Sequence, residues 1–490
     1  MRTKRSTLSL AMCAAGVLAL ASCSSDTAEP SDEPVAAPVT GSSLSEAVSL
    51  DAVVGHLQKL TDIADANDGN RAAGTSGYDA SVDYVAGALR DAGFDVETPE
   101  FQFDSYTLDS VALRALDRDV EVNAFTYSPA TPTGGVTGPI VAAPADESPG
   151  CEASDYDGLP VTGAVVLVPR GVCSFAQKGQ IAAERGAVAV VVSNNEDGPL
   201  DAGTLGSKED ARIPSVGVSR EDGAALAAAP GAVVITVAAE TETTKSRNIV
   251  AQTTTGSTED VVMAGAHLDS VPEGPGINDN GTGTAAVLES ALQMGGAPDV
   301  TNAVRFGFWG AEELGLVGST RYVESLSDED RNAIALYLNF DMVGSNNAGY
   351  LVYDGDDSDK TGEPAGPDGS DAIERVFEET LAPEDADGTD FDGRSDYGQF
   401  IEVGIPSGGV FSGADENKTA EQAQKWGGEA DAQFDPNYHT EQDTLENVDR
   451  DALEINAKAV AYGIGVYAES VTGANGVPVG ADRVAARQPE

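Results

Sequence analysis

The stretch 262–284, VMAGAHLDSVPEGPGINDNGTGT, constrains this chain more than any other. An apolar run that begins at Val261 ends in His267, Leu268 and Asp269. A Gly/Pro-rich loop follows, then Asn278-Asp279-Asn280-Gly281, then a run of helical character from Thr284 to Met294. A strand that delivers a His and an Asp at its C-terminal end, with another Asp poised before a helix, suits a metal site. Open α/β sheets bind ligands at the carboxyl edge of their strands.

The remainder of the C-terminal half alternates in kind. A strand at Ile249 to Thr253 is expected to pair with Val261 to Ala266 across a Gly-Ser turn. Further strands are expected at 303–309, 334–340 and 408–411, and helices at 314–325, 371–381 and 451–469. This alternation predicts an α/β fold with a mixed sheet and helices on both faces. The strand ends are acidic: Glu312 and Glu313 follow 303–309, and Asp341 follows 334–340. Late in the chain Tyr438-His439-Thr440 sits in a loop before Asp443. The chain has three His. His267 and His439 lie beside acids, whereas His56 falls in a helical run without an acidic or His partner at ligand spacing and reads as structural.

These residue types meet a specific demand. Zn²⁺ takes His nitrogen and carboxylate oxygen, and a catalytic site keeps one position open for water. Two metals about 3.5–4 Å apart can share a bridging carboxylate. Five ligands suit that arrangement: one bridging Asp, with one His and one carboxylate more for each metal. The doubled charge acidifies water, and a further carboxylate must take the proton. Adjacent Glu312 and Glu313 can divide those two jobs.

The N-terminus reads as a targeting segment. Met1 to Arg5 is basic, and Leu8 to Ala21 is apolar but too short for a good spanning helix. It ends in Leu20-Ala21-Ser22-Cys23, which resembles the lipobox of bacterial lipoproteins and implies cleavage before Cys23 and lipidation of that residue. Residues 1–22 are therefore expected as a lipoprotein signal peptide, and 23–43, rich in Ser, Asp, Glu, Pro and Ala, as a disordered tether. The expected location is outside the cell, anchored to the outer face of the membrane or secreted. Of four Cys, Cys13 leaves with the signal segment, and Cys151 and Cys173 remain as an even pair that reads as one disulfide in an exported protein. The net charge of −53, from 28 basic and 81 acidic residues, argues against a basic surface for nucleic acid or anionic membrane. Membrane contact is expected only through the Cys23 lipid, and the chain is expected to be a monomer.

A first block, 44–127, opens with a helix over 44–65, a polar Gly-rich loop at 70–78 and a helix over 78–91. Extended segments follow at 94–103, 106–116 and 120–127, and then a break at SPATPTGGVTG. Residues 128–245 carry short β runs and two helical stretches, 175–185 and 219–228. Arg170-Gly171-Val172-Cys173-Ser174-Phe175, Lys178, Gly186-Ala187, Ser193-Asn194-Asn195 and Ile213-Pro214 resemble the protease-associated domain. The resemblance implies an inserted β-rich α/β domain without chemistry of its own, and makes Cys151 and Cys173 its internal bridge.

Residues 246–470 resemble the aminopeptidase Y-like co-catalytic dizinc exopeptidases, a family of secreted bacterial aminopeptidases. The matching stretches are Ala266-His267-Leu268-Asp269-Ser270, Ile277 to Gly283, Trp309 to Ser319, Asn339-Phe340-Asp341-Met342 and Tyr438-His439-Thr440. The resemblance implies two Zn²⁺ per chain, His267 and Asp341 on one, Glu313 and His439 on the other, and Asp279 bridging. It makes Glu312 the general base, Asp269 the residue that orients His267, and Tyr438 a stabiliser of the oxyanion. Arg394-Ser395-Asp396-Tyr397 and Gly408 to Ala414 resemble segments near the substrate, which assigns Arg394 and Phe411 to substrate binding. A calcium ion is compatible with the sequence but not indicated by it. The polar segment 415–433 reads as a lid or a surface loop, and 471–490 as a loose tail.

The implied activity is removal of N-terminal, apolar residues from peptides with a free amine. Three rivals stay open on the same fold: a carboxypeptidase, which usually adds a helical dimerisation domain for which the stretch after His439 is too short; a glutaminyl cyclase, with one zinc; and a non-catalytic receptor-like relative, which would lose ligands.

Overall fold

A computed structural model describes residues 38–487, apart from 116, 202, 229–230, 361 and 363. The expected signal segment and Cys23 lie outside the described residues. The strands are β1 (Asp95–Glu97), β2 (Glu100–Ala115), β3 (Arg118–Val120), β4 (Asn123–Ala124), β5 (Val136–Ala142), β6 (Val165–Pro169), β7 (Ala189–Ser193), β8 (Ser215–Val218) and β9 (Ala232–Arg247). They continue as β10 (Ile249–Gln252), β11 (Ser257–His267), β12 (Asn302–Trp309), β13 (Ile334–Asn339), β14 (Leu351–Tyr353), β15 (Asp387–Thr389), β16 (Ser407–Gly408) and β17 (Val410–Phe411). Among the described residues they form a six-stranded sheet ordered β1-β10-β12-β11-β13-β16, an eight-stranded sheet β3-β2-β9-β5-β6-β7-β8-β4, and a small sheet β15-β14-β17.

The six-stranded sheet is parallel through β12, β11, β13 and β16. Val261 to His267 and all of β13 are buried, as expected for strands covered on both faces. Alternate residues face opposite layers. Val262, Ala264 and Ala266 pack into a core with Leu57, Leu288 and Val460 from three helices, while Met263 packs with Trp309, Tyr322 and Phe400 on the other side. The helix Gly283–Met294 is apolar nearly all round because it lies inside that first layer, between β11 and the helices Leu50–Asp65 and Arg450–Glu469.

The eight-stranded sheet carries its own cores: Val165 and Leu167 face one, Val166 and Val168 the other. Cys151 and Cys173 are joined by a disulfide. β2 and β9 run antiparallel from Glu100↔Arg247 to Arg114↔Val234, a ribbon that carries the chain from one large sheet to the other. Phe101 and Phe103 on this ribbon pack against Ala311 and Val317, which flank Glu312 and Glu313.

Several sequence expectations change. β10 pairs with β1 and β12, not with β11. The turn after it carries the chain past the start of β12, where the Ser257 N–H donates to Thr301 O at 2.8 Å. The expected helix 44–65 is two, Gly41–Ala47 and Leu50–Asp65, because Ser49 caps the second through the Ala52 N–H. The extended segments at 94–103 and 106–116 merge largely into β2, which joins the eight-stranded sheet. The expected strand 408–411 splits between two sheets at Gly409, where a Cβ would lie 2.0 Å from Asn339 O. Segment 415–433, expected as a lid or a surface loop, holds a helix, Ala420–Trp426, and the buried Lys418 Nζ donates to Ala348 O at 2.7 Å and Gly427 O at 3.0 Å.

Nor is the tail loose. Residues Gly480–Ala486 form a helix, and Arg483, 3% exposed, pairs with Asp260 at 2.5 Å and donates to Glu259 O at 3.0 Å and Asn332 O at 2.8 Å. Arg483→Ala is expected to destabilise the fold by about 2–3 kcal/mol, since it strands a carboxylate and three carbonyls, those of Pro478, Glu259 and Asn332. Urea unfolding checks this, with the exposed Val484→Ala expected to stay within about 0.5 kcal/mol.

Candidate metal centre

The carboxyl edge of β11, β12 and β13 collects the acids. His267 ends β11 and is 1% exposed. Its Nε2 lies 3.1 Å from Asp279 Oδ1 and 3.2 Å from Asp341 Oδ1. His439 Nε2 lies 3.1 Å from Asp279 Oδ2 and 2.9 Å from Glu313 Oε2. Asp279 thus turns one oxygen to each imidazole. Two sets of ligand atoms result, His267/Asp279/Asp341 and Asp279/Glu313/His439, each within 4.8 Å. Glu312 Oε2 stands 3.9 Å from His267 Nε2.

Burial and like charge set the protonation here. Burial pushes the Glu312 carboxyl well above the usual range, and the neighbouring Glu313 and Asp341 add to it although His267 opposes them. Burial and Asp279 raise Glu313 to about 7. Against its own burial, Asp279 is held low by His267 and His439. Burial would lower both imidazoles, yet the acids win: His267 is raised well above its ordinary value, chiefly by Asp341 and Glu312, and His439 to about 10 by Asp279 and Glu313. Acids crowded this closely favour a cation among them. The donor set fits zinc, and Glu313 Oε1, buried without a hydrogen-bond partner, offers a further free lone pair.

The surroundings hold this crowd in place. Asn280 Nδ2 donates to Phe340 O at 2.9 Å, and its Oδ1 accepts from the N–H groups of Gly283 at 2.9 Å and Met342 at 3.2 Å, which ties the Asp279 loop to the Asp341 loop. A Cβ at Gly283 would lie 2.2 Å from Phe340 O, so only glycine lets the helix start come this near. Asp443 accepts from the N–H groups of Asn278 at 2.6 Å and Asp279 at 3.0 Å. The buried Arg71 donates to the carbonyls of Leu268, Pro275 and Gly276 and so closes the loop between His267 and Asp279. Burial lowers its guanidinium to about 10.

Asp341 is set by a buried chain of donors. Trp309 Nε1 donates to the Tyr337 hydroxyl at 2.8 Å, and that hydroxyl to Asn339 Oδ1 at 3.2 Å. Asn339 Nδ2 then donates to Ser395 Oγ at 2.9 Å, and Ser395 Oγ to Asp341 Oδ2 at 2.7 Å. With Oδ2 taken, Oδ1 is the atom left facing His267. Arg71, Asn280, Tyr337 and Ser395 were not assigned roles from sequence. A lone Arg in a Gly-rich loop looks solvent-facing, and nothing in sequence spacing shows which distant carbonyls or carboxylates it meets.

The other expected residues are placed as follows. His267 Nδ1 lies 3.2 Å from Asp269 backbone O and 3.7 Å from its Oδ1, while that Oδ1 accepts from the Glu312 N–H at 3.2 Å. Asp269 therefore touches both the His and the backbone of Glu312. Tyr438 stacks on His439, centroids 3.8 Å apart, and burial raises its hydroxyl above the ordinary tyrosine range. Arg394 pairs with Asp415 at 2.9 Å and Glu416 at 3.0 Å, and reaches the Tyr438 hydroxyl at 3.4 Å. Phe411 lines the cleft over the acids with Leu316, Met342 and Tyr353. His56 stands apart, but it does have partners: Tyr84 Oη at 2.6 Å and Glu289 at 3.0 Å. Away from the centre, Asp354, Asp356 and Glu374 bring acidic oxygens together. Asp354 already accepts from the Ser358 and Asp359 N–H groups, and Glu374 from that of Gly355.

Residues 248–464 match peptidase family M28, and residues 136–226 match the PA domain. A probable lipoprotein aminopeptidase, LpqL, of Mycobacterium tuberculosis is 58% identical over 441 residues, which cover 89% of this chain and 88% of the relative. The chain belongs to peptidase family M28. An aminopeptidase of Pseudomonas aeruginosa is 45% identical, over 84% of this chain and 79% of its own length. Among solved structures, an aminopeptidase from Aneurinibacillus superposes with a TM-score of 0.72 at 29% identity, covering 88% of this chain and 97% of that one. A zinc aminopeptidase from Bacillus subtilis reaches a TM-score of 0.59 at 26% identity, over 89% and 98% of the two chains.

In this M28 member, Ser395→Ala is expected to weaken zinc binding by roughly 10- to 100-fold, the usual cost of losing a partner behind a metal ligand. Tyr337→Phe, three links from Asp341 and in the same chain, is expected to cost less. Competition of the apoprotein against a chromophoric chelator reads both.

Proposed function

We propose that this chain is a zinc-dependent aminopeptidase that binds a peptide by its free N-terminus and hydrolyses the first peptide bond. The observation that carries the reading is the position of Asp279 between His267 and His439, with Glu312 beside them in a cleft walled by aromatic and apolar side chains. His267, Asp341 and Asp279 would hold one zinc, and Glu313, His439 and Asp279 a second. The two ions would supply Lewis acidity that polarises the scissile carbonyl and acidifies water.

The chain's own residues do the rest. Glu312 accepts the proton of the attacking water and passes it to the departing amine. Asp269, bonded to the Glu312 N–H, fixes where that carboxylate starts. The Tyr438 hydroxyl, held by stacking on His439 and by Arg394, donates to the oxyanion. Acidic groups at the centre hold the substrate ammonium, which selects a free N-terminus. Leu316, Met342, Tyr353 and Phe411 favour an apolar first side chain. We place the enzyme outside the cell as a monomer, anchored through Cys23. The lipoprotein name of the mycobacterial relative supports that placement.

Glu312→Gln is expected to keep two zinc ions per chain by elemental analysis while lowering hydrolysis of leucine p-nitroanilide at least about 100-fold. N-acetylated leucine p-nitroanilide should resist the native enzyme, and a chelator should abolish cleavage until zinc is returned. A metal count near one per chain, with cyclisation of N-terminal glutamine, would transfer the reading to a cyclase. Rapid cleavage by Glu312→Gln would remove the base assignment.

A further inference from the structure

We propose that a second cleft, between the β2–β9 ribbon, the 206–209 loop and the loop after Glu313, receives the substrate residues that lie beyond the first leaving residue. This rests on the aminopeptidase reading and adds to it a subsite for the far end of the peptide.

Three observations point there. The first is continuity. The loop 313–317 separates two hollows: Glu313, Gly315 and Leu316 line the catalytic cleft, and Leu314, Gly315 and Val317 line the second one. Gly315 belongs to both. It has a positive φ of 98°, and a Cβ there would meet nothing within 4 Å, so the crest between the hollows is bare backbone beside open space. A peptide chain can cross it without meeting a side chain at that position.

The second is an apolar side chain left in water. Leu314 is 42% exposed and is one of four large apolar side chains that stay exposed among the described residues. It projects from the loop that carries Glu312 and Glu313, and it lines the second hollow beside Phe103. Leu314 gives the second hollow an apolar surface beside Phe103 on which a substrate side chain can rest.

The third is charge. Two of the chain's 28 basic residues, Lys208 and Arg321, line this hollow. Lys208 lies over Asp104 at 2.5 Å, and Arg321 pairs with Glu324 at 2.7 Å; both cations keep part of their side chain in solvent. Asp104 and Glu209 also line the hollow. One cation comes from the inserted domain and one from the catalytic domain. On a surface dominated by acids, the pair is suited to the free carboxylate of a short peptide, with an apolar residue before it resting on Leu314. The inserted domain would then measure peptide length, and would favour short peptides with a free C-terminus.

The test compares substrates that stop at the first cleft with substrates that reach the second. Leucine p-nitroanilide, Leu-Ala-Leu-Ala with a free carboxylate, and the same peptide as its C-terminal amide are given to the full chain, to Lys208→Ala and to Arg321→Glu. The native enzyme is expected to show a KM several-fold lower for the free acid than for the amide. Arg321→Glu should abolish or invert that preference, and Lys208→Ala should reduce it, with kcat/KM on the anilide changed less than twofold. Circular dichroism checks the fold, and Arg321, half exposed, serves as the variant if Lys208→Ala loosens the 206–209 loop. Equal KM values for acid and amide in the native enzyme, or a parallel loss on peptide and anilide in both variants, would overturn the subsite. Failure of the native enzyme to cleave the anilide would instead overturn the aminopeptidase reading beneath it.

Discussion

Mutual repulsion among buried carboxylates is the constraint on which the architecture turns. Asp269, Asp279, Glu312, Glu313 and Asp341 converge at one sheet edge, where Asp269, Asp279 and Glu312 are buried. Two such charges 4 Å apart repel by about 4 kcal/mol at a moderate effective dielectric. Nothing in strand or helix propensity brings them together, so backbone geometry must. β11, β12 and β13 run parallel and in register, so that His267, the Glu312 loop and Asp341 leave the sheet at the same edge. Asn280 and Asp443 then fasten the Asp279 loop onto that edge. Remove the rigid sheet, and the acids would move apart.

The parts legible in the sequence were those governed by local pattern. Apolar runs such as Val261 to Ala266 and Ile334 to Leu338 mark fully buried strands, and acids directly after them mark the edge. What was not legible depended on partners far away in sequence. Ile249 to Gln252 has the composition to pair with its hairpin neighbour, but β12 takes that place because a buried helix, Gly283–Met294, carries the chain from β11 to a parallel position beside it. Ser395 looks like any loop serine until Asp341 is found 2.7 Å from its hydroxyl. Arg394 lines the cleft together with Phe411, and its ion pairs with Asp415 and Glu416, which sequence spacing does not show, brace the loop beside Tyr438.

The ribbon of β2 and β9 gives the inserted domain a direct mechanical link to the chemistry. Phe101 and Phe103 press on Ala311 and Val317, the two residues that bracket the Glu312–Leu316 loop. The Gly315 and Leu316 N–H groups fold back onto Glu312 O at 2.8 Å, so this loop is a tight turn whose two ends, Ala311 and Val317, rest on the ribbon. Displacement of the ribbon would reach Glu312 and Glu313 through packed side chains, without a flexible segment in between. An insertion that looks catalytically inert in sequence therefore forms part of the support for the loop that carries Glu312 and Glu313.

The same scarcity of positive charge shapes the interior. Arg71, Lys178, Lys418 and Arg483 are the buried cations among the described residues, and each donates to main-chain carbonyls. Arg71 closes the loop between His267 and Asp279, Lys418 closes the segment around the helix Ala420–Trp426, and Arg483 docks the C-terminal helix. Irregular backbone buried in a protein leaves carbonyls that must find donors. A long cation satisfies several at once where no strand or helix can. Arg71 gives its hydrogens to three backbone oxygens, yet its charge still reaches Asp269, Asp279 and Glu313 through space. Direct charged contacts to Asp279, Glu313 and Asp341 are left to the two imidazoles and to bound metal. That division of labour leaves the acids free as ligands.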